Sequence, residues 1–455
     1  MRRMLAGAAF LTLQAALFTP GCRAQTDTLQ NKLGVDLEFL THGEACGGGL
    51  PRSDDGSVPV EDRSYFLYGR TRLTLDYERS CLQAHAVIQN SAVWGMSGNQ
   101  KLSLYEAWVK LKARNGLFAQ LGRMVLAYDD ERIIGANDFA MASLSHDVLR
   151  VGYEGHGHQL HAILAYNQNG DEVYTGTYYN DGAQYYKTMQ TVWYHYDVPG
   201  FPLGASLLFM NMGQQAGKYK DVDGTQVVDE NNPPCTEYQQ MYGGYFNLHP
   251  KYFTLEGAYY RQTGKIVDRS MQAFPIKAWM ASVKLTVNPS DNYGFELGYD
   301  YLSGDDYIPL AYGGQKNAVR HPEEGGFTPL YGSRTKFYGM VDYYYENAYI
   351  HGFTPGLQNA FVGVFGKPME KLDCSATYHY LAVATDLHGL DRTLGHCVDL
   401  QASYEFSKDV SFTVGYTQMT GSDTMDRLKQ GSSSKHARWG WFSLVISPSI
   451  FTTKW

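Results

Sequence analysis

Apolar and polar side chains alternate with a period of two over many short segments of the chain. In residues 64–78 the odd positions carry mostly Tyr, Leu and Thr, whereas the even positions carry mostly Tyr, Arg, Asp and Glu. A similar split recurs in residues 82–90, 293–301 and 398–406. Successive side chains of a β-strand point to opposite faces. The pattern therefore predicts strands with one face suited to hydrocarbon and the other to water.

The connections between these segments alternate between short and long. Short ones are predicted near residues 78–81, 113–116, 154–158, 199–204, 249–252, 288–292, 367–371 and 407–409. Long, polar, glycine-rich ones are predicted at 41–63, 124–146, 212–240, 303–333 and 419–437. In lipid every backbone polar group needs a partner, which a closed sheet supplies. The sequence thus predicts an all-β fold, a transmembrane antiparallel β-barrel with short periplasmic turns and long extracellular loops.

The strand count depends on one segment. About 19 segments resemble strands, an odd total that does not suit a bacterial barrel with both ends in the periplasm. The alternation of short and long connections breaks at 334–345. If this segment belongs to a single excursion, 303–357, about 18 strands remain. We therefore predict 18 strands, with 334–345 folded over or into the pore. A soluble sandwich or propeller is the alternative, but no repeat of blade length is present.

The composition agrees with a barrel. The chain has 36 Tyr, 21 Phe, 7 Trp and 48 Gly in 455 residues, which is typical of β architecture. Its mean hydropathy of −0.35 is that of a soluble protein, but alternating strands average out in such a measure. The net charge of −8 argues against nucleic acid as a partner, since such proteins usually carry basic patches.

The N-terminus predicts export. A basic start is followed by an apolar stretch, 4–18, and by small residues at 22–24. This order indicates a signal peptide over 1–24 and a single mature barrel domain over 25–455. Lipidation of Cys22 is the alternative interpretation.

The remaining cysteines and acidic clusters offer no defined site. Five cysteines without C-x-x-C spacing predict neither a disulfide framework nor a zinc site. Cys46 and Cys235 both fall in predicted outer loops, and either a disulfide between them or free thiols is compatible with the sequence. Residues 129–131 and 304–306 offer oxygen ligands for Ca²⁺ but lack EF-hand spacing, so solvated loops are the favoured interpretation. No metal and no cofactor is predicted.

Three stretches resemble a known family. Residues 121–135 resemble the signature of the alginate-export family of outer-membrane barrels, in which a strand ending in Gly-Arg leads to an acidic residue, Glu-Arg, an apolar pair and Gly. Residues 327–342 are similar to the second block of that family. Residues 394–400 are similar to its Leu-Gly-x-Glu-Ile-Asp-Leu element, with His396 and Cys397 at the x-Glu positions. The resemblance covers about residues 33–455. It implies an 18-stranded barrel in the outer membrane of a Gram-negative bacterium, passing a polar, often anionic, solute or polysaccharide.

Charges that face the lumen are the candidate functional residues, because passive transport needs no reaction chemistry. The early strands and the segment after Gly122 supply the predicted basic pore lining, which consists of Arg70, Arg72, Lys110, Lys112, Arg123, Arg132 and Arg150. The later strands supply an opposing acidic wall, which consists of Glu256, Glu296, Asp300, Asp399 and Glu405. If both walls meet at the narrow level, a transverse field selects ions there. Arginine binds carboxylates through its planar fork, so an acidic saccharide is a candidate solute.

The sequence therefore predicts a passive porin-like channel for small polar or anionic solutes, including acidic saccharides. The expected partners are outer-membrane lipid and the solute. No catalytic residue is predicted, since neither G-x-S-x-G nor H-E-x-x-H occurs. An adhesin, a component of a secretion machine and, less favoured, an outer-membrane hydrolase are the alternatives.

Overall fold

The computed structural model describes most of the chain after residue 29. The described residues are 30–48, 63–96, 100–141, 143–167, 186–217, 219–222, 225–228, 230–231, 233–267, 271–305, 323–339, 354–387, 389–429 and 436–455. The signal peptide predicted over 1–24 lies outside them. In this part of the chain, no helix is both long and apolar enough to cross a membrane.

The described residues form a closed antiparallel β-barrel of 18 strands, which confirms the predicted fold and strand number. The strands are β1 (Asn31–Gly47), β2 (Arg63–Arg79), β3 (Leu82–Val93), β4 (Gln100–Lys112), β5 (Leu117–Met124), β6 (His146–Gly155), β7 (His158–Tyr166), β8 (Thr188–Asp197), β9 (Leu203–Ala216), β10 (Cys235–Leu248), β11 (Phe253–Val267), β12 (Ala278–Ser290), β13 (Tyr293–Leu302), β14 (Leu357–Met369), β15 (Leu372–Ala382), β16 (Thr393–Ser407), β17 (Val410–Gly421) and β18 (Ala437–Ile446, resuming as Ser449–Lys454). Each strand pairs with the next, and β18 pairs with β1 to close the barrel.

The two parts of β18 form one strand with an interruption. Both parts pair with β1, and the Pro448 carbonyl between them accepts a hydrogen bond from the Leu37 amide at 3.1 Å. Proline has no amide hydrogen to donate, so the ladder breaks at this point. Short elements lie in the long connections. They are a hairpin (Tyr219–Val222 with Thr225–Val228), the segment Ala273–Pro275 and helix α1 (Asp423–Lys429).

Eight short turns lie at one end of the barrel and nine longer connections at the other. We call the half near the turns the inner half and the half near the longer connections the outer half. The eight short connections are where the sequence predicted them. Three of the five predicted long connections begin later than predicted, because β1, β9 and β17 extend to Gly47, Ala216 and Gly421. Strand ends that rise beyond lipid meet water on both faces, so the alternation that marks a strand fades there.

The outward face is apolar, as the alternation predicted. Leu121, Leu207 and Val364 are 64 %, 65 % and 58 % exposed on the outside of the wall. Cys46 and Cys235 lie at the ends of β1 and β10, and both are free thiols, so the disulfide considered between them does not form.

On β8, β9 and β10 the inward face of the outer half carries buried methionines, which the sequence did not predict. Met189 pairs directly with Met212, and Met210 pairs with Met241, and all four side chains are buried inside the barrel. A water-filled lumen would leave such side chains exposed. Two long connections cover them, and these connections position the site.

Candidate functional site: two loops inside the lumen

The connections after β5 and β13 enter the lumen and bind each other. We call their described residues within 125–145 and 323–339 the plug. The Gly135 amide donates to the Tyr331 carbonyl at 2.9 Å, and the Tyr331 amide donates to the Ile133 carbonyl at 3.0 Å. A Cβ at Gly332 would overlap the Arg132 carbonyl oxygen, so the contact requires glycine. The two segments therefore form one packed body inside the barrel.

The segment 334–345 is no barrel strand where the structure describes it. Arg334–Lys336 form a single 3-10 turn, and Tyr338 is 1 % exposed within the plug. This agrees with the prediction that the segment folds into the pore. Residues 340–345 lie outside the described part.

Arg132 joins both plug segments to the wall. Its guanidinium lies 3.0 Å from the Asp300 carboxylate on β13 and donates to Asp130 at 3.1 Å and to the Tyr338 hydroxyl at 3.1 Å. The Phe337 ring lies beneath it at 3.9 Å. Burial alone would lower the pKa of Arg132, but Asp300, Tyr338 and Asp130 outweigh it and raise that pKa. Arg132 therefore stays charged and binds the plug to the wall. Its charge is balanced by these partners and does not act on solutes in the pore.

The acidic run 129–131 is used by the plug, so the interpretation as a solvated loop or Ca²⁺ site is wrong. Asp129 accepts hydrogen bonds from the Trp193 indole at 3.1 Å and the Tyr260 hydroxyl at 3.3 Å, both on the wall. Glu131 accepts from the Ser333 hydroxyl at 2.7 Å. The carboxylates thus point in different directions. In the described part of the chain, no group of three or more His, Cys, Asp and Glu could hold a metal ion. The second acidic run, 304–306, lies only in part within the described residues.

Arg70 and Arg72 face the lumen, as predicted, but the plug covers them. Arg70 is 2 % exposed, and its guanidinium lies 3.0 Å from Glu38 and 3.3 Å from Asp138 of the plug. Arg72 lies 2.9 Å from the same Asp138 carboxylate. Burial opposes the ionisation of Asp138, but the two arginines outweigh it and lower the pKa of that carboxyl. Two positive and two negative charges therefore balance here.

Lys110, Lys112 and Arg150 form a basic cluster in the inner half of the lumen. Both lysines bind Glu154, with nitrogen–oxygen distances of 3.1 and 3.2 Å. Arg150 donates to the Gln120 side chain at 2.5 Å and to the Tyr128 hydroxyl at 3.3 Å. Among the described residues no carboxylate forms an ion pair with Arg150, and its Nε–H is buried without a hydrogen-bond acceptor. Three cationic side chains thus lie on this part of the wall with one carboxylate, Glu154, which contacts the two lysines.

Some carboxylates of the predicted acidic wall are already paired with basic side chains. Glu256 pairs with Lys284 at 2.7 Å, and Asp300 holds Arg132. Asp399 is 6 % exposed and accepts a hydrogen bond from Thr417. Glu296 forms no ion pair with a described residue, and Glu405 is exposed near a short turn of the inner half.

Arg123 does not line the pore, so that prediction is wrong. Gln120, Gly122 and Met124 of β5 face inward, so the alternation turns Arg123 outward. There its guanidinium binds Asp147 of β6 through two hydrogen bonds of 2.9 and 2.7 Å. Arg123 was assigned from its nearness to a loop, whereas the strand period gives its true direction.

The structure also brings in residues that the sequence reasoning missed. Glu38 and Asp138 neutralise the two arginines of β2, and Phe139 packs against aromatic side chains of β1 and β18. Glu38 carried a usable signal, because it lies on the same inward face as its neighbour Arg72 in the β1–β2 pair. Asp138 and Phe139 carried none, since no periodic pattern specifies how a loop folds back.

Comparisons with known proteins agree with this architecture. The family model described as alginate export matches residues 95–440. OccAB1 of Acinetobacter baumannii is similar in structure, with 12 % identity over 92 % of this chain and 97 % of that one and a TM-score of 0.59. OccK2 of Pseudomonas aeruginosa, solved with glucuronate, has 10 % identity, coverage of 92 % and 97 %, and a TM-score of 0.58.

A BenF-like porin of Pseudomonas fluorescens Pf-5 is similarly related in structure, with 10 % identity, coverage of 92 % and 99 %, and a TM-score of 0.58. No curated protein matches the sequence. The family model spans most of the chain, including both segments of the plug. This chain therefore belongs to the alginate export family, an outer-membrane barrel family of Gram-negative bacteria.

Proposed function

We propose that this protein is a passive outer-membrane channel of the porin type that favours small anionic solutes, including acidic saccharides. The closed barrel, the family and the porin neighbours support a channel for small solutes. The neighbour solved with glucuronate supports an acidic solute. Outer-membrane lipid is the partner of the apolar outward face.

The basic cluster of Lys110, Lys112, Arg150 and Glu154 is the observation that carries the anion preference. Its lysines are oriented by a single shared carboxylate, and Arg150 has no carboxylate partner among the described residues. Lys112 is 46 % exposed, so its charge acts on solutes in the inner lumen. Such a cluster raises the local concentration of anions.

The opposite side of the inner lumen strengthens the field. Glu296 of β13 lies across the barrel from the basic cluster and has no ion pair among the described residues. The neighbouring Glu256 and Lys284 neutralise each other. A transverse field of this kind orients a solute that carries its charge at one end.

Reversal potential in a salt gradient tests the proposal. The refolded barrel is inserted into planar bilayers, and the ion preference is read from the sign of the potential. Combined Lys110→Gln and Lys112→Gln should shift the reversal potential toward cation preference, because Glu154 then has no lysine partner. The control is Arg123→Gln, which removes an arginine from the outside of the wall.

Two results would contradict the proposal. An unchanged reversal potential in the lysine variant would remove the cluster from ion selection. A folded barrel that never conducts, even with its plug disrupted, would exclude the channel itself.

A further inference from the structure

A segment of the plug lies in a wall site as a bound ligand would. Asp138 and Phe139 follow Asn137, whose φ of 48° turns the chain toward the wall. The Asp138 carboxylate forms ion pairs with two arginines of β2, and the Phe139 ring packs against aromatic side chains of β1 and β18. We call the receiving side chains the wall site, which consists of His42, Tyr68, Arg70, Arg72, Trp439 and Trp441.

The first half of the wall site is built for a carboxylate. Arg72 Nη1 lies 2.9 Å and Arg70 Nη1 lies 3.3 Å from Asp138 Oδ1. Among the described residues, Glu38 is the other carboxylate in contact with the arginines, 3.0 Å from Arg70 and 3.8 Å from Arg72. Without Asp138, two buried guanidinium groups would share that single negative charge. This arrangement is costly and favours the entry of another anion.

The second half is built for a ring. The Phe139 ring meets the Trp441 ring at 5.2 Å and 82°, and the His42 ring at 5.1 Å and 83°. These are edge-to-face contacts, the arrangement that aromatic pairs prefer. Trp439 adds a third contact at 5.9 Å, and the Tyr68 hydroxyl donates to the Phe139 carbonyl at 3.1 Å. The four wall aromatics are 2 to 7 % exposed and are held by their strands.

The spacing between the halves defines the length of a ligand. Tyr68 and Arg70 lie two positions apart on the inward face of β2, which separates them by about 7 Å. A benzene ring with the carboxylate attached directly is too short to span this distance, whereas a spacer of about two carbons reaches it. The Asp138 side chain is 53 % exposed, so solutes reach this edge of the plug from water.

We propose that the wall site binds a small aromatic carboxylate with a short spacer, and that this solute displaces Asp138 and Phe139 and so loosens the plug. The proposal rests on the channel function proposed above and adds a solute class and a means of opening. While the plug segment occupies the site, it lowers the apparent affinity for the solute. The plug segment and the solute compete for the wall site. Binding of the solute must therefore shift the plug toward its released state by the same factor by which the docked plug lowers the affinity for the solute.

Equilibrium binding to the full-length folded barrel tests the wall site. Phenylpropanoate is titrated by calorimetry in detergent, and its partition into protein-free micelles is subtracted. The combined Asp138→Asn and Phe139→Ala variant, called the emptied variant below, removes the competing carboxylate and ring and leaves only the plug backbone at Tyr68 and Arg70. Its affinity should therefore rise about tenfold or more over the wild type. Arg123→Gln, an arginine change outside the barrel, should leave the affinity unchanged.

Two truncated probes separate the halves of the site. Hexanoate lacks the ring and phenylpropanol lacks the carboxylate, so each should bind the emptied variant about tenfold more weakly than phenylpropanoate. Adding Trp439→Leu and Trp441→Leu should abolish the preference for phenylpropanoate over hexanoate while carboxylate binding remains.

Several outcomes would overturn the inference. Unchanged affinity in the emptied variant, or equal affinity for hexanoate and phenylpropanoate, would exclude the wall site. Tighter binding of glucuronate than of phenylpropanoate would exclude the aromatic class. Conductance of the emptied variant separates the two proposals. If the emptied variant conducts ions but binds phenylpropanoate no more tightly than the wild type, only the wall site is refuted. If it binds phenylpropanoate more tightly but no variant conducts, only the channel is refuted.

Discussion

Replacement of Arg132 by methionine should release the plug. The substitution removes the cation from Asp300, whose side chain is 2 % exposed, and from Asp130, whose side chain is 14 % exposed. It also removes the hydrogen bond that Arg132 donates to the Tyr338 hydroxyl at 3.1 Å. Loss of one partner of a buried ion pair costs about 3–5 kcal/mol, because the remaining charge stays buried without compensation. This free energy corresponds to an increase of roughly 10²- to 10⁴-fold in the equilibrium constant between the docked and the released plug.

Single-channel recording in planar bilayers measures this shift. We expect the Arg132→Met barrel to show larger or more frequent conducting steps than the wild type. The second substitution Asp300→Asn, made in the same chain, should restore much of the closed state, because the more deeply buried of the two carboxylates is then neutral. Arg123→Gln is the matched control, since that arginine lies outside the barrel. Heat-modifiable gel mobility shows whether each variant is folded.

The reasoning would be refuted by a folded Arg132→Met barrel with wild-type conductance. It would also fail if the added Asp300→Asn opened the channel further, since the cost would then not arise from the buried carboxylate.

Three further predictions concern the same plug. Gly332→Ala should raise conductance, because its Cβ would overlap the Arg132 carbonyl oxygen, whereas Gly440→Ala, with nothing within 4 Å, should not; equal conductance in both would contradict this. Deletion of 334–345 should raise single-channel conductance, and unchanged conductance in an intact barrel would exclude a constricting role. Acidification from about pH 7 to about pH 5 should leave the plug docked. The pKa of Asp138 is lowered from 3.8, so its ion pairs are lost only below that value, and the pKa of Asp129 is raised by burial, so protonation strengthens its docking. A rise in conductance over this range would refute the last prediction.

The wall of the barrel was predictable because lipid and water impose a period of two. Leu73 and Leu75 face outward and Arg70 and Arg72 face inward, as the alternation required. The strand number followed from the same pattern once 303–357 was treated as one excursion. These features depend on neighbours in sequence or on adjacent strands, and a single sequence carries that information.

The plug was not predictable in the same way. Arg70 was correctly assigned to the inward face, but its partner Asp138 lies 68 positions away in a loop without periodicity. The inward methionines of β8, β9 and β10 were equally hidden, because a strand that is apolar on both faces gives no alternation. Their burial depends on what covers them, and that is decided by the loops.

The three stretches that resemble the family converge on the plug. Residues 121–135 and 327–342 supply its two segments, joined at Ile133 and Tyr331. A Cβ at Gly339 would lie 3.5 Å from the Sγ of Cys397, which belongs to the third stretch, 394–400. Stretches far apart in sequence thus meet at one place inside the barrel, away from the basic cluster of the inner half. The family resemblance therefore identifies chiefly the segments that close the lumen. The preference for a solute must be set by other side chains, both those that the plug covers and those that it leaves exposed.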